Sequence, residues 1–132
     1  MPDTSHLDIG MAGEQLVADY LTACGWEIVE RRWRDPRHGR GATDIDLIAR
    51  SPDRRYHFVE VKTRTAEWCG CGDFAPETAV TPAKVRRMTA AAERYLACGG
   101  ITAEIQIDIA AVILSEHPGR RPEIRYYPDA VR

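Results

Sequence analysis

The sequence has few cysteines, and their spacing is not that of a zinc-binding module. Cys24, Cys69, Cys71 and Cys98 form no pair of Cys-x-x-Cys motifs, which excludes a zinc ribbon. Cys69 and Cys71 lie in a glycine-rich segment without histidine partners, so a metal or redox role there is a minor alternative. Cys24 and Cys98 lie near predicted helix ends, and we expect both to be small core residues.

Long hydrophobic runs are also missing. No run approaches the roughly 18 apolar residues of a membrane-spanning helix, and the acidic N-terminal segment does not resemble a secretion signal. The chain has no internal repeat and no low-complexity tract. Its 132 residues are 44% hydrophobic and 29% charged, which is typical of one globular domain. We therefore expect a single domain over residues 1–132, located in the cytoplasm and without a membrane partner.

A strong excess of one charge sign is absent as well. The net charge of -2 is unusual for a protein whose only task is to coat nucleic acid. Five arginines nevertheless crowd residues 31–40, and Lys84, Arg86 and Arg87 form a second basic group. Such patches can bind phosphates while carboxylates elsewhere balance the total, although charge alone equally fits a solvated surface.

Hydrophobic periodicity predicts two helices and five strands. Apolar residues at helical spacing indicate a helix over residues 9–23. A second helix begins with Thr81 as N-cap and Pro82 in its first turn, and it ends at Gly99. The predicted strands cover residues 26–32, 43–50, 56–64, 104–114 and 123–127. The order α-β-β-β-α-β-β predicts an α/β fold with a mixed central sheet flanked by helices.

The predicted hairpin over residues 43–64 carries charges that a core strand seldom holds. Glu60 and Lys62 are two residues apart, so they share one face of their strand with Phe58. Buried charges are costly without partners. Asp46 lies on the neighbouring strand, where its carboxylate can come close to Glu60 and Lys62. Two interpretations fit this pattern equally well: a divalent-metal site, or an ion-pair ladder on a solvated sheet face.

The metal interpretation gives each of these groups a chemical role. Asp46 and Glu60 offer hard oxygens to Mg²⁺ or Mn²⁺, and the carbonyl of Val61 can add a third. A metal there would polarise a phosphodiester and lower the pKa of a bound water. The ammonium of Lys62 would orient that water or stabilise charge on the phosphorus centre.

Asp46 followed by Glu60-Val61-Lys62 resembles the signature of the PD-(D/E)xK nuclease superfamily. A wider set of motifs over residues 9–114 resembles the uncharacterised bacterial YraN-like family: Gly10-x-x-Gly13-Glu14, Asp44-Ile45-Asp46-Leu47, Phe58-Val59-Glu60-Val61-Lys62, and Ala79-Val80-Thr81 with Lys84. This resemblance implies a restriction-endonuclease-like fold similar to that of archaeal Holliday junction resolvases. It also implies that Glu14 joins the metal site, whereas the helical pattern alone leaves Glu14 as a solvated residue.

The sequence departs from the family pattern at two places. Asp44 stands where the family usually has glutamate, which makes Asp44 doubtful as a ligand, whereas Asp46, Glu60 and Lys62 match without change. The usual Arg-Asn pair after the first strand is here Arg31-Arg32.

The resulting hypothesis is a Mg²⁺-dependent or Mn²⁺-dependent endonuclease that hydrolyses structured or branched DNA as a homodimer. Its metal ligands would be Asp46, Glu60, Val61 and Glu14, with Lys62 as the further catalytic residue. Phosphate contacts would come from four basic residues: Arg34, Arg64, Lys84 and Arg87. The alternatives are a nucleic-acid-binding module that keeps the nuclease fold without chemistry, and a protein-interaction scaffold.

Overall fold

A computed structural model describes residues 6–36, 44–65, 81–115 and 119–129. The elements in chain order are α1 (His6–Ala23), β1 (Glu27–Arg34), β2 (Asp44–Arg50), β3 (Tyr56–Thr65), α2 (Pro82–Cys98), β4 (Ile105–Leu114) and β5 (Glu123–Tyr127). This order confirms the predicted α/β fold, which is consistent with a restriction-endonuclease-like architecture. Parts of the patterns singled out in the sequence lie outside the described part of the chain, including Arg37 and Arg40 of the arginine-rich segment, Cys69, Cys71, Ala79 and Val80.

The five strands form one mixed sheet in the order β1-β2-β3-β4-β5. Strand β2 is antiparallel to both β1 and β3, β3 and β4 are parallel, and β5 is antiparallel to β4. A parallel pair needs a crossover connection, and α2 lies in the connection between β3 and β4. The predicted hairpin of β2 and β3 is therefore in the interior of the sheet, next to its only parallel pairing in the described strands.

The two helices cover opposite faces of the sheet. On one face, Val17, Ala18 and Leu21 of α1 pack with Leu47, Ala49, Val59, Ala110 and Val112. On the other face, Met88, Ala91, Ala92 and Leu96 of α2 pack with Ile45, Ile48, Phe58 and Ile107. Because both faces are covered, the middle residues of the central strands are buried, and a charge there, such as that of Glu60, lies in the interior.

The start of α2 agrees with the predicted capping pattern. Thr81 is the N-cap, and its side-chain oxygen accepts a hydrogen bond from the backbone N–H of Lys84 at 3.1 Å. Pro82 occupies the first turn, where its missing N–H costs nothing. The cap fixes the backbone of the turn that carries Lys84. Within the described ranges, neither helix is long and apolar enough to cross a membrane.

The expectation that Cys24 and Cys98 are core residues is wrong, because both are exposed. Cys98 is the last residue of α2 and lies off the stripe that buries Met88, Ala92 and Leu96. Helix α1 ends at Ala23, one residue before Cys24, so Cys24 is not carried onto the sheet. A position at a helix end satisfies the sequence pattern without giving the side chain a packing partner.

Candidate functional site

Strands β2 and β3 stop pairing at the position where the sequence predicted the site. Their ladder runs from Arg50 and Tyr56 to Leu47 and Val59, and it ends there. The next residue of β2 is Asp46, whose Oδ2 accepts a hydrogen bond from the backbone N–H of Val61 at 2.9 Å. A carboxylate thus takes the place of a ladder carbonyl, and the backbone of β3 fixes its position.

The alternation of β2 side chains between the two faces of the sheet changes at Asp46. Ile45 packs in the cluster under α2, whereas Leu47 packs in the cluster under α1. Residues two apart share a face on a regular strand, so the alternation changes between them. The half-buried Asp46 therefore lies at an irregularity of the strand, which lets its carboxylate interact with groups on both sides of the sheet.

Glu60 is buried, with only 5% of its surface exposed, and its two carboxylate oxygens differ. Its Oε1 lies 3.6 Å from the Nζ of Lys62 and also 3.6 Å from the Nζ of Lys84. Among the residues that the structure describes, its Oε2 is buried without a hydrogen-bond partner. A buried acceptor without a partner costs about 1–3 kcal/mol, more when it is charged. The site therefore has an open acceptor oxygen of the kind that a hard cation binds.

The acidic groups perturb one another electrostatically. Burial, together with the negative charge of Glu60, raises the pKa of Asp46 to about 7. Glu14 adds a smaller effect in the same direction, while the Val61 N–H and the charge of Lys84 oppose it. A cation between the two carboxylates would offset the repulsion that Asp46 experiences from Glu60, so this arrangement fits a divalent metal. The solvated ladder does not describe it, since Glu60 is buried.

Glu14 of α1 forms an ion pair with Arg32 in addition to its electrostatic effect on Asp46. Its two oxygens lie 2.9 and 3.2 Å from the Nε of Arg32, which donates to both. The hydrogen bond to Glu14 raises the pKa of Arg32. No group of three or more His, Cys, Asp or Glu side chains within the described ranges is arranged to hold a metal. Asp46 and Glu60 are thus close enough to interact electrostatically, whereas the carboxylate of Glu14 is bound to Arg32.

The four predicted phosphate-binding residues lie in different surroundings. Lys84 contacts Glu60 inside the site, whereas Arg87 is exposed on α2. Arg34 is exposed and lies 3.5 Å from Asp44 on the neighbouring strand. Arg64 is half-buried, and its guanidinium donates to the Thr63 carbonyl at 2.9 Å. Of these contacts, the one between Lys84 and Glu60 lies in the candidate site, and it is made to a carboxylate.

A close approach between α1 and β3 sets the position of Glu14. A Cβ atom on Gly13 would lie 1.9 Å from Oγ1 of Thr63, far inside any allowed contact. Gly13 precedes Glu14, so the missing side chain lets this turn of α1 lie directly against β3. Gly10, one turn earlier, has nothing within 4 Å of an added Cβ. The two glycines of the motif therefore have different roles.

A second polar cluster at the start of β3 was not predicted from the sequence. His57 Nδ1 lies 2.8 Å from Oδ2 of Asp108, and His57 Nε2 lies 3.0 Å from Oγ of Ser51. This order of groups resembles a hydrolase triad, but Ser51 donates its only hydroxyl proton to Asp53. The cluster ties β4 to the β2-β3 turn and is structural.

Sequence reasoning missed the part that Arg32 plays. It counted Arg32 in the basic segment over residues 31–40 and as a departure from the family pattern, yet Arg32 is the partner of Glu14. Its backbone φ of 50° is in the left-handed region, which is uncommon for a residue with a side chain. Asparagine, which the family usually has at this position, tolerates the left-handed region better than arginine does. An arginine there indicates that a specific interaction holds its side chain, and this is the signal that the sequence offered.

The comparisons with known proteins agree on one family. The sequence profile of the uncharacterised protein family UPF0102 matches residues 13–112. A UPF0102 protein of Rhodococcus jostii is 39% identical over 126 residues, which are 95% of this chain and 97% of that protein. UPF0102 proteins of Mycolicibacterium vanbaalenii and Mycobacterium tuberculosis are each 38% identical, over 92% of this chain and over 92% and 91% of their own lengths. The chain belongs to the uncharacterised protein family UPF0102.

Proposed function

We propose that the protein is a metal-dependent nuclease that hydrolyses phosphodiester bonds in structured or branched DNA. The observation that carries this proposal is the buried Glu60, whose Oε1 contacts two lysines while its Oε2 has no hydrogen-bond partner in the described part of the chain. Asp46 lies close enough to Glu60 for the negative charge of Glu60 to raise the pKa of Asp46. A purely structural cluster would gain by pairing that last oxygen, whereas a metal site needs it open.

The metal would be Mg²⁺ or Mn²⁺, held by Asp46 and Glu60 with the carbonyl of Val61 and the carboxylate of Glu14. All these donors are hard oxygens, which both ions prefer. When bound, the ion supplies a Lewis acid and a bound water of lowered pKa. The hydrogen bond from the Val61 N–H orients Asp46 before any ligand arrives, which reduces the reorganisation needed on binding.

Lys62 and Lys84 would stabilise the charge that develops on the scissile phosphate. Both ammonium groups contact Glu60 and are still partly exposed, with 26% and 29% of their side chains accessible. Lys84 is in the first turn of α2, where a cation is unfavourable beside the helix dipole. The negative charge of Glu60, and that of a bound phosphate, would offset this unfavourable position of Lys84. Lys62 would in addition orient the attacking water by hydrogen bonding.

The remaining basic residues would bind the DNA backbone. Arg34 and Arg87 are exposed and can reach phosphates outside the site, and Arg64 lies near the end of β3. A homodimer would present two such sites to the two strands of a branched duplex. These assignments, and a cytoplasmic location, belong to the proposal.

A cleavage assay tests the proposed reaction. Purified protein with Mg²⁺ or Mn²⁺ is incubated with a panel of four-way junctions, flaps, duplexes and single strands. We expect cleavage of at least one branched substrate, and a loss of about 10²–10³-fold for Lys62→Ala because a charge-stabilising donor is removed. Arg125→Gln on β5 is the control and should keep full activity, because Arg125 is partly exposed and pairs with Glu123 away from the site. Equal cleavage by Lys62→Ala would contradict the assigned role.

A nucleic-acid-binding module without chemistry is the second candidate. One observation favours it: the described residues contain no preformed group of three metal-binding side chains. Such a module would bind DNA with strong salt dependence and with the same affinity in the presence of a chelator. A nuclease would bind its substrate more tightly when the metal is present. Binding measured with and without a chelator therefore separates the two candidates.

A further inference from the structure

Arg32 and a divalent metal would compete for the same two atoms. The Nε of Arg32 lies 2.9 and 3.2 Å from the two oxygens of Glu14. The side chain of Glu14 is only 15% exposed, so few waters can replace this partner. Both the guanidinium and a metal ion are cations that satisfy carboxylate oxygens. Glu14 therefore cannot serve both fully at the same time.

The backbone of Arg32 is held in an unfavourable conformation at the level of the acidic pair. Its φ is 50°, and its neighbours Arg31 and Trp33 pair with Leu47 and Ile45 on either side of Asp46. The ladder on both sides keeps this conformation in place. The side chain of Arg32 is 41% exposed, so it can exchange one partner for another at the surface.

A small cavity lies beside this contact. It has a volume of about 140 Å³, several times the roughly 30 Å³ of one water, so an oxyanion of the size of phosphate fits. Its lining residues are Met11, Glu14, Gln15, Arg31, Arg32 and Leu47. Arg31, like Arg32, contacts a side chain of α1: its Nη1 donates a hydrogen bond to Oε1 of Gln15 at 2.7 Å. Two guanidinium groups and one carboxylate leave the lining with a net positive charge.

We propose that this cavity is a phosphate subsite and that a phosphodiester bound there takes Arg32 from Glu14, which frees Glu14 to join Asp46 and Glu60 at the metal. The inference rests on the proposed function, because it assumes that the acidic pair binds a metal. Arg31 and Arg32 recognise a phosphate through charge-assisted hydrogen bonds. By linkage, phosphate must then strengthen metal binding, and metal must strengthen phosphate binding by the same factor. Arg32 is a positioning residue for Glu14.

Calorimetric titration of the full chain with Mn²⁺ tests this coupling, with dimethyl phosphate as a minimal phosphodiester. For the wild type, we expect saturating dimethyl phosphate to tighten Mn²⁺ binding about five-fold or more, which is the usual lower range of coupling between sites. Arg32→Gln should bind Mn²⁺ more tightly without phosphate and should lose the coupling. Adding Glu14→Gln to Arg32→Gln should cancel the gain. Arg31→Gln should weaken the phosphate effect without tightening Mn²⁺ binding by itself.

Arg50→Gln is the matched control, because Arg50 is an exposed arginine bound to a glutamate, Glu27, at 2.8 Å. It should leave both the Mn²⁺ affinity and the coupling unchanged. If Arg32→Gln does not fold, Arg32→Asn provides the same test with a residue that tolerates a positive φ. Wild-type binding of Mn²⁺ with no effect of dimethyl phosphate or of the Arg32 variants would overturn this inference alone. No Mn²⁺ binding by the wild type would overturn the proposed function, and this inference with it.

Discussion

The pKa of Asp46 depends on five influences at once, which come from burial, Glu60, the Val61 N–H, Glu14 and Lys84, and no sequence pattern shows them together. Burial and the charge of Glu60 raise its pKa to about 7, and the hydrogen bond from the Val61 N–H lowers it by a smaller amount. The carboxyl group therefore titrates near the pH at which a nuclease works. Metal binding requires the ionised carboxylate, so we expect Mn²⁺ affinity to fall as the pH drops below about 7.

The same pKa predicts how stability changes with pH when no metal is present. The folded protein keeps the proton on Asp46 up to about pH 7, whereas an unfolded chain loses it near about pH 3.9. The stability contributed by this group is thus complete below about pH 3.9 and is lost as the pH rises through about 7. Thermal melting in chelator should show this loss in the wild type and not in Asp46→Asn. Asp44→Asn, which changes an exposed acid of the same strand, should still show it.

Asp108 predicts the opposite dependence on pH. Burial raises its pKa, but hydrogen bonds from His57, Tyr126 and the Asp129 N–H outweigh burial and hold its pKa below the usual value. The stability from Asp108 is therefore present above about pH 3.9 and is lost as the pH falls through its lower folded pKa. Asp108→Asn replaces an acceptor by a donor that faces other donors, and breaking such a buried pair costs about 3–5 kcal/mol. Urea unfolding measures this loss, and a cost below about 1 kcal/mol, as for exposed pairs, would contradict it.

At the scale of elements, the contact between α1 and β3 predicts unequal effects for two glycines of one helix. Gly13→Ala would force its Cβ against Thr63, so the helix must shift, at a cost of about 1–3 kcal/mol. Gly10→Ala has open space and should stabilise the helix by up to about 1 kcal/mol. Chemical denaturation measures both. Thr63→Ala should recover part of the loss in Gly13→Ala, and equal stabilities of the two single variants would show that Gly13 has no steric role.

The N-cap of α2 gives a second prediction for an element. Thr81→Ala removes the acceptor for the Lys84 N–H and should destabilise the protein by about 1 kcal/mol. Thr102→Ala, at an exposed residue after α2, should change the stability by less than about 0.5 kcal/mol. The difference between the two variants in urea unfolding isolates the cap. The same change loosens the turn that carries Lys84, so Mn²⁺ affinity reports whether this turn supports Glu60.

The elements could be predicted from the sequence because their signals are local. Apolar periodicity located α1, the Thr81-Pro82 pair located the start of α2, and alternating residues located the strands. The charges of Glu60 and Lys62 on a core strand also pointed to the candidate site without any structure. The two helix-end cysteines were misplaced because the pattern shows which residue types recur, not where the helix stops touching the sheet.

The remaining parts of the site depend on contacts between distant segments. The pairs Glu14 with Arg32, Gly13 with Thr63, and Lys84 with Glu60 each join different elements, and nothing in either local stretch specifies the partner. The cluster of His57 and Asp108 was missed for the same reason, since 51 residues separate them. The assignment of one single domain over residues 1–132 stays a prediction, as do the ligand and phosphate-binding roles of the site residues.

At the scale of the whole molecule, a net charge of -2 requires any DNA binding to come from local basic groups. Each phosphate contact releases counterions, so affinity for duplex DNA should fall steeply with salt concentration. Arg87→Gln on the exposed face of α2 should reduce the slope of log K against log salt by about one. Arg125→Gln on β5 should leave the slope unchanged. Identical slopes for both variants would show that α2 does not face the DNA.

The central claim is that Asp46 and Glu60 form a divalent-metal site, and calorimetric titration with Mn²⁺ near neutral pH tests it most directly. The two decisive variants are Asp46→Asn and the matched control Asp44→Asn, which removes the same charge two residues away at an exposed position paired with Arg34. We predict that the wild type and Asp44→Asn bind Mn²⁺ with similar affinity, while Asp46→Asn loses binding by about ten-fold or more because a direct ligand is removed. No binding by the wild type, or equal binding by Asp46→Asn, would contradict the claim.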